Sequence, residues 1–343
     1  MNGSVDRAGA TVSGPDQAMR LHRVLTAYLS SKALFSAVRL GVFDVLANGP
    51  ATAEQVASKL ALPARSARVL LLALAGEDLV SRVDGQYRNT AVAAEYLVST
   101  APKYLGALAG HQEAHFAKMV DLTDALRSGE PVRLGAQYTG EFDGGPLAWA
   151  RRWAEVFRAS SQLMAEDLAG ALDLTGRRHL VDLGCASGSY AMALARAFPH
   201  LAVSAVDQPA VAEVAGTFVA EAGLTGRVDV QPGNIFTDRY PQCDVALLSH
   251  VIQGFGPQRA RELLAHVYQW LAPGGLLVVH SHLPEQARLP FPYQFGLILL
   301  INNTQGGEAH DEAVTTQWLT EVGFTDLRVR EVSPISAVLT AIR

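Results

Sequence analysis

Six residues invite a chemical reading first: Ser249, His250, Gln253, His280, His282 and His310. In LLSHVIQGFGPQ (247–258), an apolar run from Val245 to Leu248 gives way to Ser249, His250 and Gln253, then to Gly254, Gly256 and Pro257. That is the pattern of a buried strand running out into a loop and a helix start. In open α/β sheets the carboxyl ends of strands are where ligands bind. An imidazole there can take or give a proton near neutral pH; the carboxamide of Gln253 cannot. A helical turn starting at His250 would put it on one face with Gln253, three residues on. His280 and His282 alternate along a later strand, and His310 lies in a late loop. The bland alternative for each histidine is a structural or surface role, and their spacing alone assigns no metal.

The elements that must position these residues have two different grammars. After residue 178 strand and helix alternate: HLVDLG, AVSAVD, VDVQPGN, DVALLSHV and GLLVVHSHL, with a helix-like stretch after the first, second and fourth. The pattern predicts a parallel sheet wound on both faces. The tail DLRVREVSPISAVLTAIR reads as two strands joined by a short turn at Ser333-Pro334, hence antiparallel at the sheet edge. Up to about residue 100 the pattern is helical, with apolar residues at helical spacing over 21–46. Thr52 and Gln55 make a capping-box pattern, Pro63 stands near a helix start, and Asp84-Gly85 separates two short β-like runs. Helix, turn, helix and hairpin spell a winged helix. Five basic residues (Lys59, Arg65, Arg68, Arg82, Arg88) against four acidic ones (Glu54, Glu77, Asp78, Asp84) are a poor footprint for phosphate contacts. A packing or dimerisation role is preferred over DNA binding. From 102 to 175 the chain stays helical, apart from the glycine-rich loop YTGEFDGGP (138–146).

Bulk properties agree. The 343 residues suffice for two domains, and 49% hydrophobic with 18% charged residues fits a soluble globular protein. A net charge of −5 gives no general attraction to nucleic acid or an anionic membrane. Two cysteines without metal-type spacing, Cys185 and Cys243, point to a reducing cytoplasm. No signal peptide or membrane span is legible, and residues 1–16 read as a disordered tail.

The cofactor signal comes in three pieces. In VDLGCASGSY (181–190), Gly184 and Gly188 let the backbone turn sharply and approach a ligand at the first strand's end. The second strand ends in AVDQPAV, placing Asp207 where a nucleotide-binding fold holds a ribose diol, and PGNIF (232–236) follows the third. The glycine pattern of dinucleotide binding, G-x-G-x-x-G, and the Walker pattern are both missing. On these residues the chain resembles the class I S-adenosylmethionine-dependent small-molecule O-methyltransferases with an N-terminal winged-helix dimerisation domain. The likeness runs from about residue 20 to 343 and includes SKALFSAVRLGVFDVL, LLSHVIQGF, LAPGGLLVV and the closing WLTEVGF.

The resemblance implies a Rossmann-like methyltransferase domain with a mostly parallel seven-stranded sheet, preceded by a mainly helical winged-helix domain that makes a homodimer. It divides the chain into the tail 1–16, the dimerisation domain 17–100, a helical linker and substrate cap 101–175, and the cofactor-binding domain 176–343. Carried over, Gly184 and Gly188 line the methionine part of S-adenosylmethionine, Asp207 holds the ribose hydroxyls, Asn234 and Ile235 flank the adenine, and Ser249 lies beside the cofactor. Asn234 stands where the family usually has Asp.

The catalytic signature departs from the family. Gln253 occupies the position of the family's histidine base, and Ala309, in Gly306-Gly307-Glu308-Ala309-His310, that of its acidic partner. Three readings follow. Proximity alone drives methylation of an acidic or ionised nucleophile. Another histidine serves as base, with His250 the first candidate. Or methyl transfer is lost, and the bound cofactor supports a cyclisation, pericyclic or hydroxylation reaction electrostatically. Methyl transfer, on oxygen rather than carbon or nitrogen, is the preferred reading, with His250 and Gln253 as the catalytic candidates. The substrate expected is a small apolar, aromatic or polyketide-like secondary metabolite, bounded by Phe116, Trp149, Trp153, Phe157, His250 and Phe295, with Phe291 and Tyr293 nearby.

Overall fold

The computed structural model describes residues 14–132, 145–240, 243–302 and 305–343. The chain divides into two compact units, one up to Glu113 and one over Ala114–Arg343. The division falls inside the 101–175 stretch set apart above as a linker and cap, so that stretch contributes to both units.

In the first unit, α1 (Gly14–Leu40) starts inside the expected tail. Residues 1–13 of that tail, and 138–144 of the glycine-rich loop, lie outside the described residues. The helices α2 (Val42–Ala47), α3 (Ala53–Lys59) and α4 (Ala64–Gly76) follow, then the strands β1 (Val80–Val83) and β2 (Gln86–Asn89), then α5 (Ala91–Tyr96) and α6 (Gly106–Lys118), within which the division falls. The capping box at Thr52 forms in full: Thr52 Oγ1 accepts from the Gln55 N–H at 3.3 Å, and Gln55 Oε1 accepts from the Thr52 N–H at 2.8 Å. The β1–β2 hairpin turns through Asp84 and Gly85, at φ of 51° and 78°. Positive φ at both central positions suits a right-twisted two-residue hairpin, which explains the Asp-Gly pair. Phe43, Leu46, Val56, Leu71, Leu74 and Tyr87 are buried at the centre of this unit.

The second unit contains α7 (Leu122–Ser128), α8 (Gly145–Ala171), β3 (His179–Leu183), α9 (Ser189–Ala197), β4 (Ala202–Asp207), α10 (Pro209–Glu221) and β5 (Val228–Pro232). It continues through β6 (Val245–Ser249), α11 (Pro257–Trp270), β7 (Leu276–Ser281), α12 (Phe291–Asn302), α13 (Glu312–Val322), β8 (Thr325–Ser333) and β9 (Ser336–Ile342). Seven strands form one sheet in the order β5-β4-β3-β6-β7-β9-β8. The first five are parallel; β9 runs antiparallel between β7 and β8, leaving β8 at the edge.

Strand alternation builds a core on each side of the sheet. Leu180, Val245, Leu247 and Val278 pack with Leu168 of α8 and Leu194 of α9. Val181, Leu183, Leu248 and Val279 pack with Leu263 of α11 and Trp318 of α13. The same alternation turns Asp182, Ser249 and His280 toward the α8–α9 side and Ser281 toward the other. No helix among the described residues is long and apolar enough to cross a membrane.

The reciprocal bonds at Thr52 satisfy two N-terminal N–H groups of α3 and its cap. Thr52→Ala is expected to destabilise the first unit by about 1 kcal/mol, read as a lower urea midpoint at unchanged slope.

Candidate functional site

The loop after β3 depends on left-handed backbone. Gly184, Ala186 and Gly188 have φ of 79°, 49° and 72°. A Cβ on Gly184 would come within 2.9 Å of Val251 Cγ2, so this position excludes a side chain on two grounds. The loop is tied to β4: the Gly184 and Cys185 N–H groups donate to Val206 O at 2.8 and 3.0 Å. Asp207 finishes β4, and its Oδ2 and Oδ1 accept from the N–H groups of Ala186 (2.9 Å) and Gln208 (2.8 Å). Burial pushes its pKa up while these two bonds pull it down. Each carboxylate oxygen keeps a further lone-pair direction, so a vicinal diol can still be gripped by both. Beyond β5, Asn234 Oδ1 accepts from the Phe236 N–H at 2.9 Å, and Asp238 accepts from the Asn234 N–H at 2.9 Å. The Asn234 carboxamide is thereby oriented, with its NH2 left to donate. A turn built for close approach, a carboxylate beyond it and an amide-bearing loop beyond that suit a nucleoside carrying a short chain.

At the ends of β6 and β7 lies a buried polar cluster. Ser249 is opposite His280 in register, and its Oγ lies 2.9 Å from His280 Nδ1. The His250 N–H donates to His280 O at 2.8 Å, and His250 itself has φ of 56°. With that left-handed residue no helical turn begins at His250, so the condition for sharing a face with Gln253 is not met; the single turn there is Ile252–Gly254. The His250 imidazole packs instead against His280 and His282, at ring-centroid distances of 4.6 and 4.5 Å. His250 as a residue is half-buried, yet both its ring nitrogens are sealed from solvent and have no hydrogen-bond partner among the described residues. The same holds for His280 Nε2 and the Tyr190 hydroxyl. Tyr190 on α9 packs edge-on to His280 at 5.4 Å. Ser249 and Ser161 lie near its hydroxyl without bonding geometry, and burial raises its pKa. Desolvation holds His250 well below the usual imidazole range and pushes His280 down to about 3, so both are neutral.

Gln253 is buried, and its Oε1 accepts from Ser281 Oγ at 2.7 Å on the far side of the sheet. His282 Nδ1 lies 2.7 Å from Ile335 O, and its ring meets Phe291 at 5.1 Å and Phe295 at 4.9 Å. Tyr293, expected nearby, is 56% exposed on another face of α12. His310 is tied away from the cluster: its Nε2 lies 2.9 Å from Phe255 O and its ring packs on Trp318.

The expected aromatics fall on separate elements. Trp149, Trp153 and Phe157 form a ridge along α8, with Trp149 and Trp153 stacked at 5.8 Å and 10° and Phe157 4.7 Å from Trp153. One turn beyond it, Ser161 approaches Tyr190. Phe116 is half-buried on α6. Two residues of the site were not singled out from the sequence, although both lie in VDLGCASGSY. Tyr190 is one. Asp182 is the other: its Oδ2 has no partner among the described residues, and desolvation, then the Asp207 charge, push its pKa up to about 7.

Against this geometry the comparisons with known proteins are decisive. A model of the O-methyltransferase domain matches residues 145–325, and one of the O-methyltransferase dimerisation domain matches 22–99. The chain belongs to the O-methyltransferase family. It is an S-adenosylmethionine-dependent methyltransferase, with the Rossmann-like domain and helical dimerisation domain of that family. It is 37% identical over 281 residues to the N,N-dimethyltransferase OxyT of Streptomyces rimosus, covering 79% of this chain and 80% of that one. To the tetracenomycin polyketide synthesis 8-O-methyl transferase TcmO of Streptomyces glaucescens it is 32% identical, covering 94% and 95%. The structure of human N-acetylserotonin methyltransferase in complex with S-adenosylmethionine superposes with a TM-score of 0.82 at 23% identity, over 98% of this chain and 99% of that one, which shows the shared fold.

The Asp182 carboxyl gives a measurable linkage. It is neutral up to about pH 7 in the folded chain but ionises near pH 4 when unfolded, so the folded chain holds the extra proton in between. The stability it contributes is complete below about pH 4 and is lost as pH rises through about 7. Asp182→Asn removes that dependence. Relative to the parent, the variant's unfolding free energy should gain about 2 kcal/mol between pH 5.5 and 7; parallel urea-derived profiles would contradict the assignment.

Proposed function

We propose that this methyltransferase acts on a hydroxyl group of a small, largely apolar aromatic or polyketide-like metabolite. The observation that carries the reading is the cluster of uncharged imidazoles at the ends of β6 and β7, walled by Phe291 and Phe295. A flat apolar guest suits those walls, and neutral ring nitrogens suit a hydroxyl better than a charged group. TcmO, which is similar over nearly the whole chain, is named for 8-O-methyl transfer in polyketide synthesis; OxyT is named for transfer to nitrogen, so an amine is the competing nucleophile to test.

In this reading Gly184 and Gly188 line the methionine part of the cofactor, Asp207 grips the ribose hydroxyls, and Asn234 and Ile235 flank the adenine. Ser249 sits beside the sulfonium end. Trp149, Trp153, Phe157, Phe116, His250 and Phe295 bound the guest. The cofactor supplies a methyl group on a positively charged sulfur, an excellent leaving group. The chain therefore has to align nucleophile and methyl and exclude water, which accounts for most of the rate. Gln253 contributes no proton transfer; its carbonyl oxygen holds Ser281 and so fixes the turn after β6.

The dimerisation domain supports a homodimer. Along α1, Met19, Leu21, Val24, Leu25, Tyr28 and Leu29 are all more than half exposed, a band of apolar surface that a second copy would cover.

Two experiments test these statements. Labelled S-adenosylmethionine is incubated with a panel of naphthols, hydroxylated anthraquinones and their amino analogues. Label is expected on the phenols with equimolar S-adenosylhomocysteine. Label on the amines alone would move the reaction to nitrogen, and substrate loss without S-adenosylhomocysteine would sink methyl transfer altogether. Separately, the double variant Val24→Glu/Leu25→Glu should elute at the monomer mass in light-scattering chromatography while the parent elutes as a dimer.

A further inference from the structure

The proposed reaction leaves open where the hydroxyl proton goes. We infer that His282 Nε2 accepts it, with the Ile335 carbonyl as the positioning group. This rests on the methylation reading above.

The argument starts from the ring nitrogens of the cluster. Ser249 occupies His280 Nδ1, and Ile335 occupies His282 Nδ1. Four nitrogens have no hydrogen-bond partner among the described residues: both of His250, Nε2 of His280 and Nε2 of His282. The first three are sealed from solvent. His282 is 6% exposed, and its ring lies against the Phe291 and Phe295 walls of the cluster. A base must offer a free lone pair, and of the four this nitrogen alone has its lone pair fixed by a carbonyl partner on the other side of its ring.

Its protonation state is also fixed. A carbonyl oxygen can only accept, so the 2.7 Å contact to Ile335 O requires the proton of neutral His282 to sit on Nδ1. Nε2 then carries the lone pair. His250 has no such anchor: Gln253 lies near its ring without bonding geometry, and the Gln253 carbonyl oxygen is taken by Ser281. For His280, Ser249 can be donor or acceptor, so its Nε2 is not committed. The Ile335 carbonyl also stabilises the imidazolium once formed, opposing the desolvation that lowers the His282 pKa.

The surroundings suit transient protonation. Among the described residues, His282 meets the rings of Phe291 and Phe295 from α12; from β6 and β7 the titratable groups in the cluster are His250 and His280, and from α9 Tyr190. All are neutral at pH 7, and no carboxylate pairs with His282 among the described residues. In the transfer step the hydroxyl oxygen bonds to the methyl carbon, the carbon–sulfur electron pair stays on sulfur, and the O–H proton passes to Nε2. The imidazolium then releases the proton to solvent.

The test uses the full-length protein and two naphthols, the parent compound and a nitro derivative that is ionised at pH 7. In His282→Asn the side-chain NH2 can still donate to Ile335 O, but no base remains. With the parent naphthol its kcat at pH 7 should fall at least ~100-fold, at near-parental KM and unchanged S-adenosylhomocysteine affinity by calorimetry. Its rate should climb about tenfold per pH unit as the naphthol ionises. With the ionised nitro derivative, variant and parent should agree within a few-fold. His250→Gln should instead raise KM and keep the parental fall in kcat/KM toward acid pH. Independently of turnover, long-range 1H–15N spectra of histidine-labelled protein with S-adenosylhomocysteine should show His282 protonated at Nδ1 and bare at Nε2. A parental rate in His282→Asn, a loss not relieved with the ionised naphthol, or a proton on Nε2 would each overturn the inference alone. A parent protein inert to both naphthols would overturn the methylation reading and this inference together.

Discussion

The bond from the His250 N–H to His280 O is the constraint on which the site depends. It is the last rung between β6 and β7, and it is made by a residue already in left-handed backbone. Were His250 extended, β6 would continue and its side chain would enter the opposite core. The left-handed turn, which costs roughly 1–2 kcal/mol in a non-glycine residue, lifts the chain off the sheet and turns the imidazole back over β7. Val251 is then delivered against Gly184, whose missing side chain is what admits it. One backbone torsion thus joins the glycine loop, the histidine cluster and the start of α11.

The cluster is polar without being charged. Buried, unpartnered polar atoms cost roughly 1–3 kcal/mol each, and four belong to three rings packed together: two on His250, one on His280 and the Tyr190 hydroxyl. A protein keeps such atoms where a ligand answers them or where function needs them. The familiar histidine–carboxylate pair would place opposite charges in the same low-dielectric space. Here imidazoles held neutral by burial stand against one another instead, at ring-centroid distances of 4.6 and 4.5 Å.

Much of this was legible in the sequence because it is short-range. Gly184, Gly188, Asp207 and the PGNIF segment announce themselves by order along the chain, and the Thr52 cap and Asp84-Gly85 turn are local chemistry. Gln253 was recognisable as unable to take a proton from its side chain alone. Pairing across the sheet was not legible. Ser249 meets His280 through strand register, and His282 meets Ile335 across more than fifty residues, so no local pattern distinguished His282 from His250. Whether a helical turn starts at His250 was not legible either, since His is among the residues that tolerate the positive φ it adopts. Asp182 and Tyr190 stood in plain view in VDLGCASGSY, but only the packing reveals that their polar atoms are enclosed.

The bond from the Ala186 N–H to Asp207 has a kinetic consequence. It fastens the turn after β3 to the carboxylate that, on the proposed reading, holds the ribose, so the two are joined without help from a nucleoside. The entropy of ordering that loop is met during folding rather than at each encounter. Exchanging the spent nucleoside for a fresh one then requires rehydration of a standing surface, not rebuilding of a collapsed one, and turnover is freed from a slow reassembly step.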